Sequence, residues 1–178
     1  MNALFKERKT MCIKRFLTIT IILSSSIILL FLICSSKPAE TGLVEYRIID
    51  EGKNAAIEER SPNLIVFTDE QDFRNYYNQI HRTEIPRPET PSVDFEKYFV
   101  VFVSYGIQKT SGYSIEIRSI FTRKDNLVIK TVFITPPPES FQAQVITHPY
   151  ILVKIRRDDY RFVQLMNAKG EVLDSKTL

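Results

Sequence analysis

Phe16 to Ile33 is a run of eighteen residues without a charge, and the apolar pattern beyond it is of another kind. A helix of that length spans about 27 Å, against a hydrocarbon core of about 30 Å. After a polar stretch, Val44, Tyr46 and Ile48 alternate with Glu45 and Arg47, the period of a half-buried strand. Leu64-Ile65-Val66-Phe67 is too short for a helix and reads as a buried strand. The period then changes. Thr68 and Gln71 have the spacing of a capping box, and Phe73, Tyr76, Tyr77 and Ile80 follow on one face of an amphipathic helix. That helix gives way near His81, and Pro86, Pro88 and Pro91 impose an extended loop. From Tyr98 the pattern is β. Tyr98 to Val103 is unbroken and apolar, while Tyr113, Ile115 and Ile117 alternate with polar residues. Asp125-Asn126 marks a turn before Leu127–Ile134, and Tyr150–Ile155 with Arg161–Met166 reads as a hairpin. Asn167 to Gly170 turns into a short terminal strand. The expected fold is α+β: a mostly antiparallel sheet or small sandwich with one amphipathic helix, preceded by the membrane-directed hydrophobic helix.

Charge gives the apolar run a direction. Lys6, Arg8, Lys9, Lys14 and Arg15 precede it against the single acid Glu7. A basic front end stays cytoplasmic and sends the following chain across the membrane. The run can serve as a cleaved signal, as an uncleaved anchor, or as the leader of a lipoprotein acylated at Cys34. Phe31-Leu32-Ile33-Cys34 resembles a bacterial lipobox, although Ile33 stands where a small residue is usual. Residues 1–15 thus read as a cytoplasmic n-region, 16–33 as the signal or anchor, 35–43 as a tether, and 44–178 as one extracytoplasmic domain. The chain's net charge of +3 belongs to the leader: beyond residue 33, nineteen basic residues face twenty acids, a net −1. Such a body lacks the electrostatic footprint of a nucleic-acid binder. The domain at 44–178 also lacks cysteine, because Cys12 and Cys34 both precede it. Disulfides therefore do not stabilise it, although its expected compartment permits them.

Candidate chemistry is sparse. His81 reads as a solvated helix-end residue and His148 as a loop residue before Pro149; neither has metal-ligand spacing to another histidine, cysteine or acid. The glycines at 42, 52, 106, 112 and 170 form no phosphate-cradling loop. Glu58-Glu59 and Asp158-Asp159 read as solvated charges. No cofactor and no metal is expected, and the chain reads as a non-enzyme. A serine triad assembles in space rather than in order, so an envelope hydrolase stays open as an alternative.

Two segments draw attention instead. Gly106-Ile107-Gln108-Lys109-Thr110-Ser111-Gly112-Tyr113 joins two strands, and turn chemistry alone explains it as an ordinary hairpin loop. The alternative is a loop held out to a partner by a rigid scaffold, with Gly106, Lys109, Thr110, Ser111, Gly112 and Tyr113 as contact residues. Pro136-Pro137-Pro138 favours a stiff extended segment and supplies a second candidate surface.

The pattern Val101-Phe102-Val103 leading to Gly106, then Thr110-x-Gly112-Tyr113-x-Ile115-x-Ile117, resembles the core of the PrcB family of protease-complex subunits. Pro136–Pro138, Val145 and Thr147 before Pro149-Tyr150, then Val153 and Ile155, continue the resemblance over about residues 98–156. It implies a bacterial, membrane-attached accessory subunit that binds, assembles or regulates a surface subtilisin-like serine protease. Members are typically lipoproteins, which would favour acylation at Cys34. Thr110-Ser111-Gly112-Tyr113 is also similar to a loop of chagasin-type inhibitors, whose other motifs are not evident. An inhibitor acting through the 106–113 loop is accordingly a second alternative. The expected location is a bacterial membrane, with the globular domain periplasmic or at the cell surface.

Overall fold

The computed structural model describes residues 41–178. The apolar run at 16–33 and Cys34 lie outside the described residues. Among those residues no helix is long and apolar enough to cross a membrane.

Nine strands and one helix make up the described chain: β1 (Thr41–Leu43), β2 (Tyr46–Gly52), β3 (Asn63–Phe67), α1 (Glu70–Ile80), β4 (Tyr98–Ser104), β5 (Ser114–Arg123), β6 (Asn126–Ile134), β7 (Tyr150–Arg156), β8 (Phe162–Met166) and β9 (Val172–Thr177). They form a four-stranded sheet, β2-β7-β4-β3, and a five-stranded sheet, β1-β5-β6-β8-β9. All neighbouring strands run antiparallel except β6 and β8, which are parallel. The expected α+β class, in its sandwich form, is what the chain adopts. β1 occupies the last three residues of the segment read as a tether.

The core between the sheets draws Leu64, Phe99, Val101, Val103, Ile151, Val153 and Ile155 from one and Ile120, Leu127, Ile129, Val163 and Leu165 from the other. α1 lies on the opposite face of the four-stranded sheet. Its Phe73, Tyr77 and Ile80 are buried with Val100, Phe102 and Leu152. Strands β4 and β7 are therefore covered on both faces, which is why they read as continuous apolar runs rather than alternations.

The helix begins one residue later than its sequence pattern predicts. Asp69, not Thr68, is the N-cap, and its carboxylate accepts from Asp72 N at 3.0 Å. A carboxylate there satisfies an orphan amide and also suits the positive end of the helix dipole. Gln71 bonds forward to Asn75 at 2.9 Å instead of closing a box.

The expected β7–β8 hairpin does not form. β7 already has β2 on one side and β4 on the other, so neither edge is open to β8. The chain crosses to the second sheet, where β8 pairs with β6. The same reasoning removes the ordinary hairpin reading of residues 106–113: β4 is flanked by β3 and β7, and β5 lies in the other sheet. β5 and β6 do form a hairpin, turning at Lys124-Asp125, one residue before the predicted Asp125-Asn126.

Candidate functional site

The chain leaving β4 is stitched to the chain approaching β7. Tyr105 N donates to Pro149 O at 2.9 Å, and Gln108 and Thr147 exchange both backbone bonds, at 2.8 and 3.0 Å. Further out, Ser111 N donates to Ala143 O at 3.0 Å, while Ala143 N donates to Ser111 Oγ at 3.1 Å. Thr147 Oγ1 donates to Thr110 O at 3.0 Å. The glycine-flanked loop and the proline loop, separate in the sequence, form one platform at the end of the sandwich.

Two glycines permit close approaches here, Gly106 to the segment before β3 and Gly112 to the proline loop. Gly106, at φ +79°, lets the loop turn while its Cα lies against backbone: an added Cβ would stand 2.7 Å from Arg60 C and Ser61 N. Gly112, at φ +92°, packs under the proline loop, where a Cβ would come within 2.9 Å of Pro136 Cβ. Both angles lie in the region that side chains disfavour. Tyr105 props the base of the platform. Its ring meets Tyr113 and Phe133 at centroid distances of 5.6 and 4.8 Å, and its hydroxyl is 3.0 Å from Thr135 Oγ1.

Lys109 and Gly112 are exposed, and Thr110, Ser111, Tyr113 and Pro136 are half-buried; Pro137 and Pro138 stand in solvent. Of the most exposed apolar groups here, Phe141 and Ile146 were not singled out in the sequence, and Val145 only within the family resemblance. Phe141 is 98% exposed, Ile146 71% and Val145 47%. Their signal was faint: apolar residues out of any period, inside a loop rich in proline, serine and glutamine. Surface apolar residues are common singly; three in the loops of one platform are the feature that makes it a candidate contact surface.

His81 is not a solvated helix-end residue. It is buried, with Nε2 2.9 Å from Asp50 Oδ2 and Nδ1 2.8 Å from Glu84 Oε1. Tyr150 also donates to Asp50, at 2.9 Å, and Tyr77 packs on the imidazole with centroids 4.3 Å apart. Burial, then the Asp50 carboxylate, raise both tyrosines well above the usual phenol range. The cluster ties β2, α1 and β7 together. His148 is buried as well, with Nδ1 3.1 Å from Ile57 O and Nε2 without a partner. Glu59 is half-buried rather than solvated, and its Oε2 lacks a partner. Among the described residues, neither histidine has a serine or threonine hydroxyl as a partner. No group of three or more His, Cys, Asp or Glu among them could hold a metal ion.

Residues 99–156, a third of the chain, match the family model described as PrcB C-terminal. No curated protein and no solved structure matches the chain. The matched stretch holds β4 and β7, the inner pair of the four-stranded sheet, and β5 and β6, two of the three inner strands of the other, together with both loops of the platform.

Proposed function

We propose that this protein is a non-enzymatic accessory subunit of a bacterial, extracytoplasmic protease complex. In this reading the platform of residues 106–113 and 136–146 docks on a subtilisin-like serine protease. One observation carries the proposal: the two loops within the matched stretch bond to each other and hold Phe141, Val145 and Ile146 in solvent. An apolar centre beside a lone cation, Lys109, has the composition of a protein interface rather than of a small-molecule site. Membrane attachment through residues 16–33, with or without lipid on Cys34, would place the domain beside such a partner.

The test is mild crosslinking in intact membranes, capture of this chain, and labelling of the captured material with a serine-reactive fluorophosphonate. A labelled partner of protease size is expected, with no label on the chain itself. Phe141→Ser combined with Lys109→Glu should release the partner while the melting temperature holds, since exposed loop changes usually fall within ~0.5 kcal/mol. Retention of the partner by that variant at the wild-type level would remove the platform from the interface. Label on the chain itself would overturn the non-enzymatic reading.

A further inference from the structure

At the opposite end of the four-stranded sheet, a cleft of about 620 Å³ opens beside the start of β2, the end of β7 and the turn beyond it. Arg47, Lys154, Arg156 and Arg157 line it, against Glu45 and Asp158. Arg47 and Lys154 are direct cross-strand partners, and Arg156 sits opposite Tyr98 on β4. Like charges facing each other across a ladder oppose pairing. Among the described residues, none of Arg47, Lys154 and Arg156 forms a salt bridge that would relieve this. Lys154 is instead steadied by a ring, its Nζ 4.7 Å from the Tyr98 centroid. Arg157 has a different task. Its guanidinium donates to Phe95 O, Tyr98 O and Thr68 O at 2.8, 3.2 and 2.6 Å, so its charge is fixed in the wall without a carboxylate.

We propose that this cleft is a binding site for a phosphate group, held by Arg47, Lys154 and Arg156 with Arg157 as a fixed positive wall. Guanidinium forks match the paired oxygens of a phosphate, and several cations around one concavity suit an anion. Glu45 and Asp158 would repel a long polyanion, which leaves room for one compact group. The phosphate comes from a phospholipid headgroup or from a soluble compound. Leu43 and Val44, where the predicted tether joins the domain, line the same cleft and bring the lipid source nearest.

Hydrogen–deuterium exchange on the full chain, reconstituted in vesicles, separates the sources. One sample uses the phosphate-free glycolipid digalactosyldiacylglycerol alone, a second replaces part of it with phosphatidylglycerol, and a third adds inorganic phosphate to the first. Exchange in peptides covering residues 44–47 and 154–158 should slow when the site is filled, because a ligand bound only by the folded state lowers the population of locally open forms. Slowing with phosphatidylglycerol alone identifies a headgroup, and slowing with inorganic phosphate identifies a soluble ligand. Arg47→Gln with Lys154→Gln should abolish the effect without lowering the melting temperature, because it removes two opposed like charges. Arg47→Lys, which keeps the charge but not the fork, should retain part of it. Equal exchange in all three samples, or slowing that survives the double substitution, overturns the proposal.

Discussion

His148 bears on how stability depends on pH, through a single nitrogen. The neutral ring donates from Nδ1 to Ile57 O at 3.1 Å and leaves Nε2 buried without a protein partner. Protonation would put an N–H there without an acceptor. Burial accordingly holds the His148 pKa below the ordinary imidazole value of 6.5, only partly offset by the Ile57 carbonyl and the Glu59 charge. The unfolded chain therefore takes up its proton at higher pH than the folded one. This contribution to stability is complete above about pH 6.5 and is lost as pH falls through the lowered folded value. Thermal melts across that interval should show a declining midpoint, and His148→Asn should flatten the decline relative to wild type. An unchanged slope in the variant would assign the pH response to other groups. The burial of both histidines was not legible in the sequence. His81 meets partners 31 and 69 positions away, and residue type alone gives no sign of such neighbours.

The helix is held by its aromatic stripe. Phe73 is 1% exposed and meets Phe67, Tyr77 and Phe95 at centroid distances of 5.9, 5.8 and 5.9 Å. Phe73→Ala should cost about 3–5 kcal/mol in chemical denaturation, the range for deleting a buried ring and leaving its cavity. A loss below ~1 kcal/mol would mean that the site collapses around the missing ring. Elements such as this one were legible, because periods of two and 3.6 are written locally in the order of side chains. Strand partners were not. Nothing within Tyr150–Arg156 states that both its edges are taken, so a short polar link to the next apolar run looked like a hairpin. The candidate loops follow the same logic. Glycine and proline announced each loop, whereas their mutual bonds join residues 32 and 37 positions apart.

The two sheets meet along their sides as well as their faces. On one side the chain passes from β1 to β2, with Val44 N donating to Ile120 O at 2.8 Å. On the other, Asp174 of β9 reaches across to accept from Leu64 N of β3 at 3.0 Å, covering an edge amide that would otherwise seek a strand. Asp174→Ala should lower stability by about 1–3 kcal/mol by leaving that amide unpaired, and should raise self-association in sedimentation. Asp174→Asn, which keeps an acceptor, should recover much of the loss. A fully monomeric alanine variant of wild-type stability would show the bridge to be incidental. Strands β4 and β7 cross the interior from end to end, each seven residues long. The platform caps one end of them, and the cationic cleft opens at the other. At ~3.3 Å per residue the two ends stand roughly 20 Å apart, through a ladder packed on both faces. Such a beam bends little, so with both proposed sites filled the domain would act as a spacer: whatever is gripped at the cleft would set the standoff of a protein docked on the platform.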